Sequence, residues 1–245
     1  MEPFCRNYVI DDNMVDRFGR LKPSVALFFA QDIAGQHCIE LGLDYDTMAA
    51  RRLFWAVIRH RVQIDRLPQR GQTVTVQTWP MPTTRVAYPR ATVVYDEMGC
   101  ELLRIISLWV IMDLDTRAMI LPGKSGVHVG GLLTGTELAA PGSLVPKVLE
   151  NRETRTVRFT DLDRNGHMNN CRYLEWVTDL LPSAFHEGHP VKEFTVCYLS
   201  EARESEGLEL NWEMDSEASL RVEAVRADDA ASTGHSRVFA AQMQF

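Results

Sequence analysis

Apolar residues recur at every second position in three stretches of this chain: Ala56, Ile58, His60, Val62 and Ile64; Phe194, Val196 and Tyr198; and Leu208, Leu210, Trp212 and Met214. Successive strand side chains point to opposite faces, so this period of two reads as half-buried strands of antiparallel sheet. Residues Ile105–Met112 are apolar on both faces and suit a central strand covered on both sides. Two stretches read as helix instead: Pro23 to about Leu41, with proline at the first turn, and Met168 to about Leu181, stopped by Pro182. Strands outnumber helices, and the fold class predicted is α+β with mainly antiparallel sheet.

The texture changes between Pro122 and Pro146. Six glycines and three prolines fall in those 25 residues, against 26 such residues in all 245. A linker over 122–152 is the natural reading, with one domain at 1–121 and a second at 153–245. Its Gly123-Lys124-Ser125 is not a phosphate loop, because Ala118 stands where the first glycine is required. The flanks resemble each other: a shift of 147 positions lays Asp16-Arg17-x-Gly19-x-Leu21 on Asp163-Arg164-x-Gly166-x-Met168, and continues through Leu27 with Leu174 and Asp32 with Asp179. A duplicated domain follows.

A net charge of −7 argues against general nucleic-acid binding, which needs a basic face. No apolar run approaches the roughly 20 residues that span a bilayer, and the start of the chain does not read as a secretory signal. Five cysteines without a Cys-x-x-Cys pair fit neither a disulfide framework nor a zinc site. These features predict a soluble cytoplasmic protein without membrane attachment.

Asp161-Leu162-Asp163-Arg164-Asn165-Gly166-His167-Met168-Asn169-Asn170 holds the densest chemistry. It opens like a calcium loop, but the twelfth position, where such a loop needs a bidentate glutamate, is Arg172. A polar turn capping the next helix accounts for the same residues in part. Spacing adds more: Asp163, Asn165 and His167 alternate, so an extended segment would point them one way, just ahead of a helix whose free N–H groups can hold an oxyanion. His60, His186, His189 and His235, and the helical Gln31-x-x-Ala34-x-x-His37 set, read as structural.

Through Tyr173 this run resembles the Asp-x-Asn-x-His-x-Asn-Asn-x-x-Tyr signature of the acyl-acyl-carrier-protein (ACP) thioesterases. Trp55 to Trp79, Asp113-Leu114-Asp115-Thr116-Arg117 and His186 to Glu201 extend the resemblance over nearly the whole chain. It implies two tandem hot-dog domains, each a curved antiparallel sheet wrapped on one long helix, the first shaping an acyl-chain tunnel and the second catalytic. It also implies hydrolysis of fatty acyl-ACP to free fatty acid and ACP, without metal or organic cofactor. The family's catalytic positions fall on Asp163, Asn165, His167 and Glu201. Its cysteine position is Ala202, so a thiol nucleophile is excluded there, and Cys171 and Cys197 read as small buried residues.

Two expectations follow for the chemistry. Glu201 orients or activates water, while Asp163 acts as nucleophile or second base, positioned by Asn165 and His167, with helix amides near Met168 completing the oxyanion site. In the first repeat Phe18 and Arg20 replace the amide and the imidazole. The partner implied is acidic ACP, met by arginines around the signature (Arg152, Arg155, Arg158, Arg164 and Arg172), and a homodimer is left open. An acyl-CoA thioesterase, or a non-catalytic acyl-chain carrier on the same fold, are the alternatives.

Overall fold

The computed structural model describes residues 2–216, 219–227 and 237–245; His235 lies outside them. The chain divides into two units, Met1–Pro141 and Gly142–Phe245. In the first, β1 (Phe4–Val9), α1 (Pro23–Glu40), α2 (Tyr45–Ala50), β2 (Leu53–Ile64), β3 (Thr73–Pro80), β4 (Tyr88–Tyr95), β5 (Glu101–Asp113), β6 (Met119–Ile120) and α3 (Pro122–Ser125) follow in order. Its strands pair antiparallel as β1-β3-β4-β5-β2, with β6 beside β5. The second unit runs β7 (Asn151–Thr156), α4 (Asn170–Thr178), α5 (Ser183–Gly188), β8 (Glu193–Tyr198), β9 (Gly207–Ser216), β10 (Ser219–Arg226) and β11 (Arg237–Gln244). Its antiparallel order β7-β9-β10-β11-β8 repeats the first, element for element.

Alternation explains the strands, with one correction. Val57 is buried while Ala56 and Ile58 are half-buried, because a bulge between Val57 and Arg59 shifts the register with β5 and resets which face is inside. Beyond it, His60, Val62 and Ile64 face the core as the pattern predicts. In β5 the run from Leu102 to Ser107 is buried throughout, which fits its place between β4 and β2.

Helix α1 starts with Pro23 at its first position and ends before Gly42, whose φ of +64° suits the left-handed residue that closes a helix. Its Leu27, Phe29, Ala30, Ile33 and Ala34 are buried, and it packs on β1 and β3. Helix α4 is shorter than the pattern predicts. Asn169 stands outside it, its side chain accepting the Cys171 N–H at 3.0 Å, so Met168 belongs to the preceding turn. Tyr173, Leu174, Trp176 and Val177 form its buried face.

Candidate active site

Asp163 begins a tight turn, not the extended approach that the alternation suggests. Its Oδ1 accepts the backbone N–H groups of Asn165 at 2.8 Å and His167 at 3.2 Å. Asp163 N donates to His167 O at 2.8 Å and Gly166 N to Asp163 O at 3.0 Å. Gly166 closes the turn at φ +77°, a value that carries no steric cost for glycine. The carboxylate thus fixes the backbone of Asn165 and His167. The Asn165 amide itself reaches only to 3.4 Å from Asp163 Oδ2.

Leu162 bridges Met168 and His167 bridges Arg203, which brings in the loop after β8. Met168 N donates to Ala202 O at 2.8 Å, placing the residue before Ala202 beside the turn. His167 Nε2 consequently lies 3.3 Å from Glu201 Oε2, the imidazole 16% and the carboxylate 43% exposed. Two residues 34 positions apart, joined in the sequence only by the resemblance, meet here. Nδ1 of His167 has no partner among the described residues, so a proton on Nε2 facing Glu201 leaves Nδ1 as the basic edge.

Of the helix amides expected near Met168, three are already engaged. Met168 and Asn169 already donate to Ala202 O and Asp161 O, and Cys171 donates to the Asn169 side chain. Asn170, first residue of α4, keeps an N–H with no acceptor among the described residues, as the first turn of a helix must. Its carbonyl accepts the Tyr198 hydroxyl at 3.0 Å.

The cysteines take no part in this geometry. Cys197 is buried, and burial pushes the Cys171 thiol up to about 12, far from a ready nucleophile. His60 is buried with Nδ1 2.8 Å from Ser107 Oγ. Among the flanking arginines, Arg152 meets Glu209, Arg155 meets Glu153 and Asp179, and Arg172 meets Glu175. Arg158 and Arg164 are exposed. No group of histidines, cysteines and carboxylates among the described residues forms a metal site, and no helix among them is long and apolar enough to cross a membrane.

Residues 2–121 match the acyl-ACP thioesterase N-terminal domain and residues 147–240 match its C-terminal domain. The chain belongs to the acyl-ACP thioesterase family. A dodecanoyl-[acyl-carrier-protein] hydrolase of Umbellularia californica is 30% identical over 63% of this chain and 43% of its own length. A palmitoyl-acyl carrier protein thioesterase of Gossypium hirsutum is 28% identical over 70% of this chain and 45% of its own. The chain thus spans about half the length of the curated relatives it matches. An acyl-ACP thioesterase crystal structure from Bacteroides thetaiotaomicron superposes with a TM-score of 0.89 at 25% identity, covering 99% of this chain and 97% of that one. The 12:0-ACP thioesterase of Umbellularia californica gives 0.81 at 24% identity, covering 99% and 96%. Both units are hot-dog folds.

Proposed function

We propose that this chain hydrolyses the thioester of fatty acyl-ACP at the turn carrying His167 and the loop carrying Glu201. The observation that carries the proposal is the 3.3 Å contact between those two side chains, beside an uncommitted helix N–H. Acyl-ACP hydrolases among the relatives supply the substrate class.

Glu201 orients the imidazole, and Nδ1 of His167 takes a proton from water as its oxygen attacks the thioester carbonyl. Contacts of this kind commonly tighten once substrate is bound. The tetrahedral oxyanion accepts the Asn170 N–H at the positive end of α4. Collapse breaks the C–S bond, and the imidazolium returns its proton to the departing thiolate, leaving fatty acid and carrier thiol. Direct attack by water is favoured over an anhydride on Asp163, because Oδ1 of that carboxylate is engaged by two backbone N–H groups. The Asn165 amide, exposed beside the turn, orients the substrate. In this reading Asp163 builds the turn that presents Asn165 and His167. The arginines flanking the turn, the exposed Arg158 and Arg164 among them, meet the acidic carrier.

The test compares kcat/KM for one acyl chain on ACP and on CoA. A clear preference for ACP is expected, weakening as salt screens the carrier's charge. A preference for CoA would reassign the substrate, and tight acyl-chain binding without turnover would leave the non-catalytic carrier.

A further inference from the structure

We propose that Arg226 is a positioning residue that sets Glu201 against His167, an inference that rests on the hydrolytic role proposed for that pair. Glu201 does not sit in a strand. It stands on the loop between β8 and β9, where a long, partly exposed side chain on loose backbone would lose much time away from the imidazole.

The loop is tied down by Arg226, the last residue of β10. Its Nη2 donates to the carbonyl of Glu201 itself at 2.6 Å, its Nη1 to Ser200 Oγ at 3.2 Å, and its Nε to the Glu206 carboxylate at 3.2 Å. A planar guanidinium offers these donors in a fixed fork, so three points of the loop are set relative to one rigid group. Glu206 is anchored in turn, its N–H donating to Arg203 O at 3.1 Å and its carbonyl accepting Val157 N–H at 3.0 Å. On the far side, Ala202 O takes the Met168 N–H, and the Tyr173 hydroxyl faces the Ala202 N–H. Glu201 is thus the residue between two clamps, and Arg226 is the one that grips its own carbonyl.

The first unit shows what the same loop looks like without a catalytic glutamate. Asp65 and Arg66 donate their N–H groups to Leu102 O just as Leu199 and Ser200 donate to Val238 O, so Arg66 matches Ser200 and Leu67 matches Glu201. There the cation is on the loop: Arg66 reaches Asp96, just past β4, at 2.6 Å. In the second unit the tie is inverted, with the cation on the strand and its donors aimed at the loop backbone. An Arg66-like tie would fix one side chain, whereas the Arg226 fork fixes the peptide from which Glu201 projects.

The experiment is a double-mutant cycle on acyl-ACP, with kcat, KM and Tm for Arg226→Met, Glu201→Gln and the pair. Arg226→Met is expected to lower kcat about 10- to 100-fold with KM changed less than about threefold. Arg226→Lys, which keeps charge but not the fork, should recover part of it. In the Glu201→Gln background Arg226→Met should add nothing, since both remove one step. Wild-type kcat in Arg226→Met, or full multiplication of the two losses, overturns the assignment. Wild-type kcat in Glu201→Gln overturns instead the proposed role of the pair. Should Arg226→Met fail to fold, Arg226→Lys and Glu206→Gln carry the same cycle.

Discussion

Two turns in this molecule share a backbone and differ in what they display. Asp16 Oδ1 accepts the N–H groups of Phe18 at 2.8 Å and Arg20 at 3.0 Å, as Asp163 accepts those of Asn165 and His167. Gly19 and Gly166 sit at φ +76° and +77°. Leu21 N donates to Pro68 O as Met168 N donates to Ala202 O, both at 2.8 Å. On this shared frame the first unit sets Phe18, Arg20, Pro23 and Leu67 where the second sets Asn165, His167, Asn170 and Glu201. The frame is therefore a folding element, and the proposed chemistry rests on four side positions hung on it. Even the helix start follows this division, since Pro23 has no N–H to offer and Asn170 has one.

That last pair gives the sharpest way to break the comparison. Asn170→Pro copies the first unit into the second, and Asn169 already has the extended backbone that proline demands of its predecessor. Retained folding with a loss of kcat of roughly 10² to 10³ is expected, the effect of deleting one oxyanion donor. A folded Asn170→Pro enzyme with normal kcat would remove that N–H from the mechanism.

His167→Ala and Glu201→Gln come next, each lowering kcat by about 10² or more without loss of Tm. Normal turnover by either would dissolve the pair. Smaller again is the response at the two aspartates. Asparagine can still accept the turn's N–H groups, so Asp163→Asn should keep at least about tenfold more kcat than Asp163→Ala. Asp16→Asn and Asp16→Ala should move only Tm. If Asp163→Asn is as inactive as Asp163→Ala, the carboxylate has a chemical role beyond the turn.

The smallest expected effect separates the units by acid sensitivity. His37 is pulled down to about 4 by burial and the Arg90 guanidinium, and His60 to about 3 by burial; both lie in the first unit. An unfolded histidine titrates near about 6.5, so between there and the folded values the unfolded chain binds protons that the folded one refuses. Their contribution is complete above about pH 6.5 and is lost as pH falls toward about 4 and then 3. His60→Gln should flatten the fall in urea midpoint between about pH 7 and about pH 4. An unchanged slope would place the acid sensitivity elsewhere.

Much of this was readable from residues alone, for physical reasons. Period-two alternation imposes strands, and Pro23 and Pro182 mark where helices cannot extend. The shift of 147 positions exposed the duplicated turn because its Asp and Gly are required by backbone geometry. The bulge at Val57–Arg59 was hidden, since one extra residue in a strand leaves no compositional trace. Asn170 was hidden too: a free N–H depends on which neighbours are already satisfied, and Met168 was spent on Ala202 O. Glu201 carries no local signal, being an acidic residue in a polar loop; only resemblance, and then the Met168–Ala202 bond, brings it to His167.

The intact turn around Asp16 has a practical consequence for protein engineering. An unused socket is already folded in the N-terminal half, its carboxylate, glycine and loop bond in place. Phe18→Asn, Arg20→His, Pro23→Asn and Leu67→Glu would set the four proposed site residues on that frame and redraw no backbone, leaving only the loop of residue 67 without a strand arginine to grip it as Arg226 grips Glu201.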